Sequence, residues 1–133
     1  MDKAKKELLK KYIALLYTKV VDGEGLQTKP KITLTEDEDN AAQDPLGKTA
    51  YFNANDNSIR LYITGRLIVD CLRSFVHECI HLKQKERGDL DNRLGDGVGY
   101  AQNDPHMRKM EEEAYVKGSL YLRDLQDELR QKK

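Results

Sequence analysis

His77-Glu78-Cys79-Ile80-His81 lies within residues 66–87, a run that no Gly or Pro interrupts and that follows the breaker Gly65. Leu67, Cys71, Phe75, Cys79 and Leu82 recur there at steps of three and four and make an apolar stripe. Ile68, Leu72, Val76 and Ile80 widen it, so the spacing predicts a helix buried on most of its sides. His77 and His81 fall on a third face, together with Asp70, Ser74 and Gln84. Positions i and i+4 stack on one helical face, so both imidazoles can address a single Zn²⁺ at about 2.0–2.1 Å. Glu78 is rotated roughly 100° from His77 and flanks that point. Two nitrogen ligands with a carboxylate beside them are what a hydrolytic zinc site needs. The nitrogens hold the ion, and the carboxylate takes a proton from zinc-bound water.

A catalytic zinc site uses three protein ligands and leaves a place for water. Downstream, Met110, Ala114, Val116, Leu120, Leu122 and Leu125 mark a second helix over residues 107–131, with Glu111, Glu112 and Glu113 near its start. One of these carboxylates can complete a His-His-Glu set. The same three acids also suit a helix N-terminus, where the macrodipole favours negative charge. His106 is an alternative third ligand or transition-state donor, or simply a solvated loop residue. The longer pattern H-E-x-x-H-x-x-G-x-x-H is excluded, because no histidine follows at the required spacing. Asp70, Ser74 and Gln84 are candidates to hydrogen-bond the ligand imidazoles from behind, and exposure alone accounts for them equally well.

Asp70-x-x-Arg73-Ser74-x-x-His77-Glu78-x-x-His81-x-x-Gln84, followed by Glu111-x-x-Ala114-Tyr115, resembles the small H-E-x-x-H metallopeptidases of phages and their relatives, which are minimal gluzincins. The resemblance spans about residues 49–117. It implies an α+β zincin-like domain with an active-site helix, a following glutamate helix and a small sheet. It also implies that Glu111, three positions before Ala114, is the third zinc ligand, with Glu112 next in line. The class often has Asp or Asn where this chain has Tyr115. The implied activity is zinc-dependent peptide hydrolysis, with Glu78 as general base and Tyr115, Tyr100 or His106 as oxyanion donor; Tyr115, four residues after Glu111, faces the same way. A noncatalytic, zinc-stabilised protein-binding module is the alternative, and Glu78 separates the two, because a purely structural site does not need it.

Composition narrows the field. At 133 residues the chain is expected to form one domain, 1–133. Twenty-three basic and 23 acidic residues cancel, so no global basic field points to nucleic acid. No apolar stretch approaches the roughly 20 residues of a membrane span, and no signal-peptide pattern opens the chain. Cys71 and Cys79 sit eight residues apart on the predicted helix, about 12 Å along its axis. Bridging requires Cα atoms within about 7 Å, so the pair is expected to stay reduced. A cytoplasmic location follows as the expectation, the host cytoplasm if the chain is phage-encoded.

The remaining elements follow from the breakers. A helix is expected over residues 2–21, its lysines (Lys3, Lys5, Lys6, Lys10, Lys11) forming a wet face, ended by Gly23 and Gly25. Residues 31–35 alternate like a half-buried strand. The acidic segment 36–47 reads as a surface loop, and 50–53 with 58–64 as a hairpin. A glycine-containing loop spans 88–106. The strand 58–64 is the expected edge that would pair with an extended protein or peptide substrate.

Overall fold

The computed structural model describes residues 1–36, 49–90 and 105–131. Its first helix, α1 (Lys3–Glu24), starts where the Asp2 side chain accepts from the Lys5 N–H at 2.8 Å, satisfying a donor that the helix itself leaves unpaired. Leu9, Ile13, Leu16 and Val20 are buried at steps of four and three. Lys3, Lys5, Lys10 and Lys11 face solvent, and Lys6 pairs with Glu36. The helix runs about one turn past its expected end. Gly23 stays helical because its missing side chain leaves room for Tyr121, whose hydroxyl a Cβ would meet at 2.1 Å. Gly25, at φ 70°, supplies the left-handed cap.

Three strands follow: β1 (Lys31–Thr35), β2 (Ala50–Asn53) and β3 (Ser58–Tyr62). The hairpin of β2 and β3 forms as the alternation predicts, and Asn57 takes the left-handed conformation at its turn with φ 55°. Lys85 reaches up from the next helix to bond Ala54 O and Asn57 Oδ1, tying that turn down. The sheet order is β1-β3-β2, with β1 parallel and β2 antiparallel to β3. The strand over 58–64 is therefore central and not the edge. Its alternation identifies the buried face (Ile59, Leu61 and Ile63), but pairing uses backbone groups that leave no mark in that pattern.

The helix that carries the histidines, α2 (Ile68–Glu86), packs on α1 and on the hairpin, as its broad apolar surface requires. Cys71, Phe75, Val76, Cys79, Ile80 and Leu82 have no exposed surface. Both cysteines are free thiols. The last helix, α3 (Pro105–Gln131), lies along α2. It begins at Pro105, whose fixed φ and missing N–H suit a first helical position. The Glu triplet thus starts more than a turn inside α3, and its first turn holds no acid. The macrodipole account of these glutamates fails on that placement, because the effect fades within one turn. Among the described residues the architecture is α+β, three helices on a small mixed sheet. Among the described residues no helix is long and apolar enough to cross a membrane. The expected acidic loop beyond Glu36 and most of the glycine loop, including Tyr100, lie outside the described residues.

Candidate metal centre

α2 stacks His77 and His81 toward α3, and α3 answers with Glu111. The two Nε2 atoms are 3.2 Å apart. Glu111 reaches both, with Oε2 at 3.2 Å from His77 Nε2 and Oε1 at 2.8 Å from His81 Nε2. A tetrahedral ion bonded at about 2.0–2.1 Å holds its ligand atoms about 3.4 Å apart, so this donor set could hold a metal ion. The triplet divides cleanly. Glu112 is exposed. Glu113 turns to the Arg87 guanidinium at 2.7 and 2.8 Å and to Gln84.

Gln84 explains how His81 is oriented. It is completely buried, and its amide NH₂ donates to Met110 O and Glu113 Oε1, both at 2.8 Å. Its Oε1 therefore faces the ring and accepts from His81 Nδ1 at 2.8 Å. In the neutral ring this places the proton on Nδ1, which leaves Nε2 as the nitrogen able to address the shared site. His77 has no counterpart: its Nδ1 is buried without a hydrogen-bond partner, and its ring instead packs against Tyr115 with centroids 4.4 Å apart. Asp70 and Ser74 do not touch the imidazoles. Asp70 pairs with Arg73, and Ser74 Oγ accepts from Arg66. His106 stands away from the site, its Nε2 2.6 Å from Asp89 O.

Glu78 lies beside the pair, its carboxylate within 4.8 Å of the histidine nitrogens. A group of His77, Glu78 and His81 taken alone would make Glu78 a ligand. The positions of the two carboxylates argue otherwise: Glu111 bridges both nitrogens, whereas the Phe52 N–H of β2 donates to Glu78. Burial raises the Glu78 carboxyl above its usual range, against the pull of both histidines and that N–H. Burial alone would push His81 down, but the Glu111 and Glu78 carboxylates outweigh it and hold the imidazole above its ordinary value. Burial likewise pushes Glu111 up, and the two imidazoles more than reverse it, leaving the carboxyl far below the usual range. Glu113 is lowered to about 2, chiefly by Arg87.

Sequence reasoning overlooked two residues. Gly118 is buried where α3 crosses α2, and a Cβ there would meet Val76 Cγ1 at 3.2 Å and the His77 N at 3.5 Å. An isolated glycine inside an apolar helical pattern was the available signal. Arg66 donates to Thr49 O, Tyr62 O, Asp70 O and Ser74 Oγ, fastening the hairpin's base to the first turns of α2. A cleft of about 130 Å³ opens beside the histidines, with His77, Glu78 and Tyr115 on its wall. Neither a known protein family, nor a curated protein, nor a solved structure matches the chain.

Proposed function

We propose that this chain is a zinc-dependent peptidase built on a minimal zincin-like, gluzincin-type domain. The observation that carries the reading is the convergence of His77 Nε2, His81 Nε2 and the Glu111 carboxylate at 2.8–3.2 Å, with Glu78 alongside and anchored separately. His77, His81 and Glu111 would hold the metal. When bound, zinc supplies Lewis acidity toward a scissile carbonyl and lowers the pKa of attacking water. Glu78 then accepts the proton of that water and hands it to the leaving amine. The Phe52 N–H fixes the carboxylate for this transfer. Tyr115, packed at a tilt against His77 and largely exposed, is the donor proposed for the developing oxyanion.

The substrate strand moves from 58–64 to β2. Thr49 O accepts from Tyr62, so the alternate residues Ala50 and Phe52 turn their backbone groups away from β3, on the side where Phe52 meets Glu78. An extended protein or peptide segment paired there would pass the base directly. A cytoplasmic location belongs to the same reading, in keeping with two buried, unbridged thiols. Glu78→Gln should retain zinc and fold while abolishing hydrolysis of unfolded proteins and peptide libraries. Identical cleavage profiles for wild type and variant would favour a noncatalytic zinc-stabilised binding module.

A further inference from the structure

We infer that the cleft beside His77 and Glu78 is a subsite for a carboxylate of the bound peptide, with Arg73 as its selecting charge. The inference rests on the peptidase reading for its biological sense but on the cleft alone for its chemistry. At about 130 Å³ the cleft is smaller than a site for a whole small molecule, typically about 300–1,000 Å³, and has room for one side chain or chain end. Its walls are short: Ala114 and Gly118 come from α3, and hydroxyls come from Thr49, Ser74 and Ser119. Among the described residues, no carboxylate but Glu78 lines it, and Arg73 is its one cationic side chain.

Two features make this an anion-seeking arrangement. Ser74 Oγ accepts from Arg66 Nη2 at 2.8 Å, which leaves the serine proton to be donated elsewhere and places a second guanidinium behind it. Among the described residues Arg73 is meanwhile held only by Asp70, at 2.8 Å, in a pair with both side chains about half exposed. Such a pair contributes little, so a substrate carboxylate can replace Asp70 at small cost and gain a charge-assisted bond. A peptide residue with a carboxylate side chain and a peptide's C-terminal carboxylate both satisfy this chemistry.

Three probes separate the possibilities: N-acetylglutamate N-methylamide carries a side-chain carboxylate, N-acetylalanine a terminal one, and N-acetylglutamine N-methylamide neither. Each is titrated into the protein, with and without one equivalent of zinc, while the backbone amide resonances of Ser74 and Ser119 are followed. At least one acid is expected to bind about 10-fold more tightly than the neutral amide. Arg73→Gln should erase that preference, Arg73→Lys should keep part of it, and Asp70→Asn should strengthen it severalfold. A response to the first probe marks selection of an acidic residue, and a response to the second marks selection of a chain end. Equal binding of acid and amide would overturn the subsite, as would an acid preference that survives Arg73→Gln. Failure of the peptidase reading appears separately, as zinc-loaded wild type that cleaves nothing.

Discussion

The two sides of α2 are built on opposite rules. Toward α1 and the sheet, the helix contributes apolar residues such as Leu72, Phe75 and Cys79 to one continuous core. Toward α3, beside apolar contacts such as Val76 against Gly118, it adds a polar cluster of His77, His81 and Gln84 that bonds and pairs with Glu111, Glu113 and Met110 O. Apolar burial stabilises in proportion to area and tolerates small shifts. A polar seam tolerates few, because each displaced group loses its partner in a low-dielectric setting. The first side holds the fold together, and the second sets the register of α3 against α2 to within a hydrogen bond.

That division predicts different consequences for damage on each side. Phe75→Ala should cost about 3–5 kcal/mol, a fall in Tm of about 10–20 °C by calorimetry, with or without zinc. Glu111→Gln should leave the metal-free Tm within a few degrees of wild type yet weaken zinc more than about 100-fold in chelator competition, exceeding the effect of an outer partner. Glu112→Gln should change nothing in that assay. Were Glu111→Gln, Glu112→Gln and Glu113→Gln to bind zinc equally, the third ligand would have to be sought elsewhere.

Gln84→Leu probes the seam without touching a ligand. Losing the acceptor at His81 Nδ1 should weaken zinc by about 10–100-fold, and nitrogen-detected NMR should find the His81 tautomer no longer fixed in the metal-free protein. An unchanged tautomer would mean that Gln84 acts only in packing.

The smallest effect is expected at Glu86. Burial pushes its carboxyl up, but N–H donors from Gln27 and Thr28 and the charge of Lys83 win, and the folded value lies below the ordinary one. A depressed carboxyl adds stability that is complete above the unfolded pKa, about 4.3, and disappears as pH falls through the lower folded value. Glu86→Gln should therefore cost no more than about 1 kcal/mol at neutral pH, after solvent screening, and the gap to wild type should close in acid. A gap that widened in acid would contradict this assignment.

Much of this organisation is legible in the residues. Helical periodicity located α2 and α3, and the strand alternations located β1 and the hairpin, because side-chain burial writes itself into sequence at periods of 3.6 and 2. The stacking of His77 on His81 follows from the same geometry. Sheet order does not, since β1 joins β3 through backbone groups common to every residue. The separate roles of Glu111 and Glu113 were also hidden, for adjacent glutamates differ only in the direction that α3 gives them. Gln84 shared its candidacy as an imidazole partner with Asp70 and Ser74, and helical position alone did not separate the three. Its importance comes from partners 26 and 29 positions away.

Gly118 gives α3 a fulcrum. Seven residues separate it from Glu111, about 10.5 Å along the helix axis, and the helix between them behaves as a stiff arm. At the fulcrum the two helices approach until a Cβ on residue 118 would press on the Val76 side chain at 3.2 Å. A displacement of a few tenths of an ångström there swings the carboxylate at the far end toward or away from both imidazoles. The spacing of the proposed ligand set would thus depend on a methyl group that is missing two turns away, at a position outside that set.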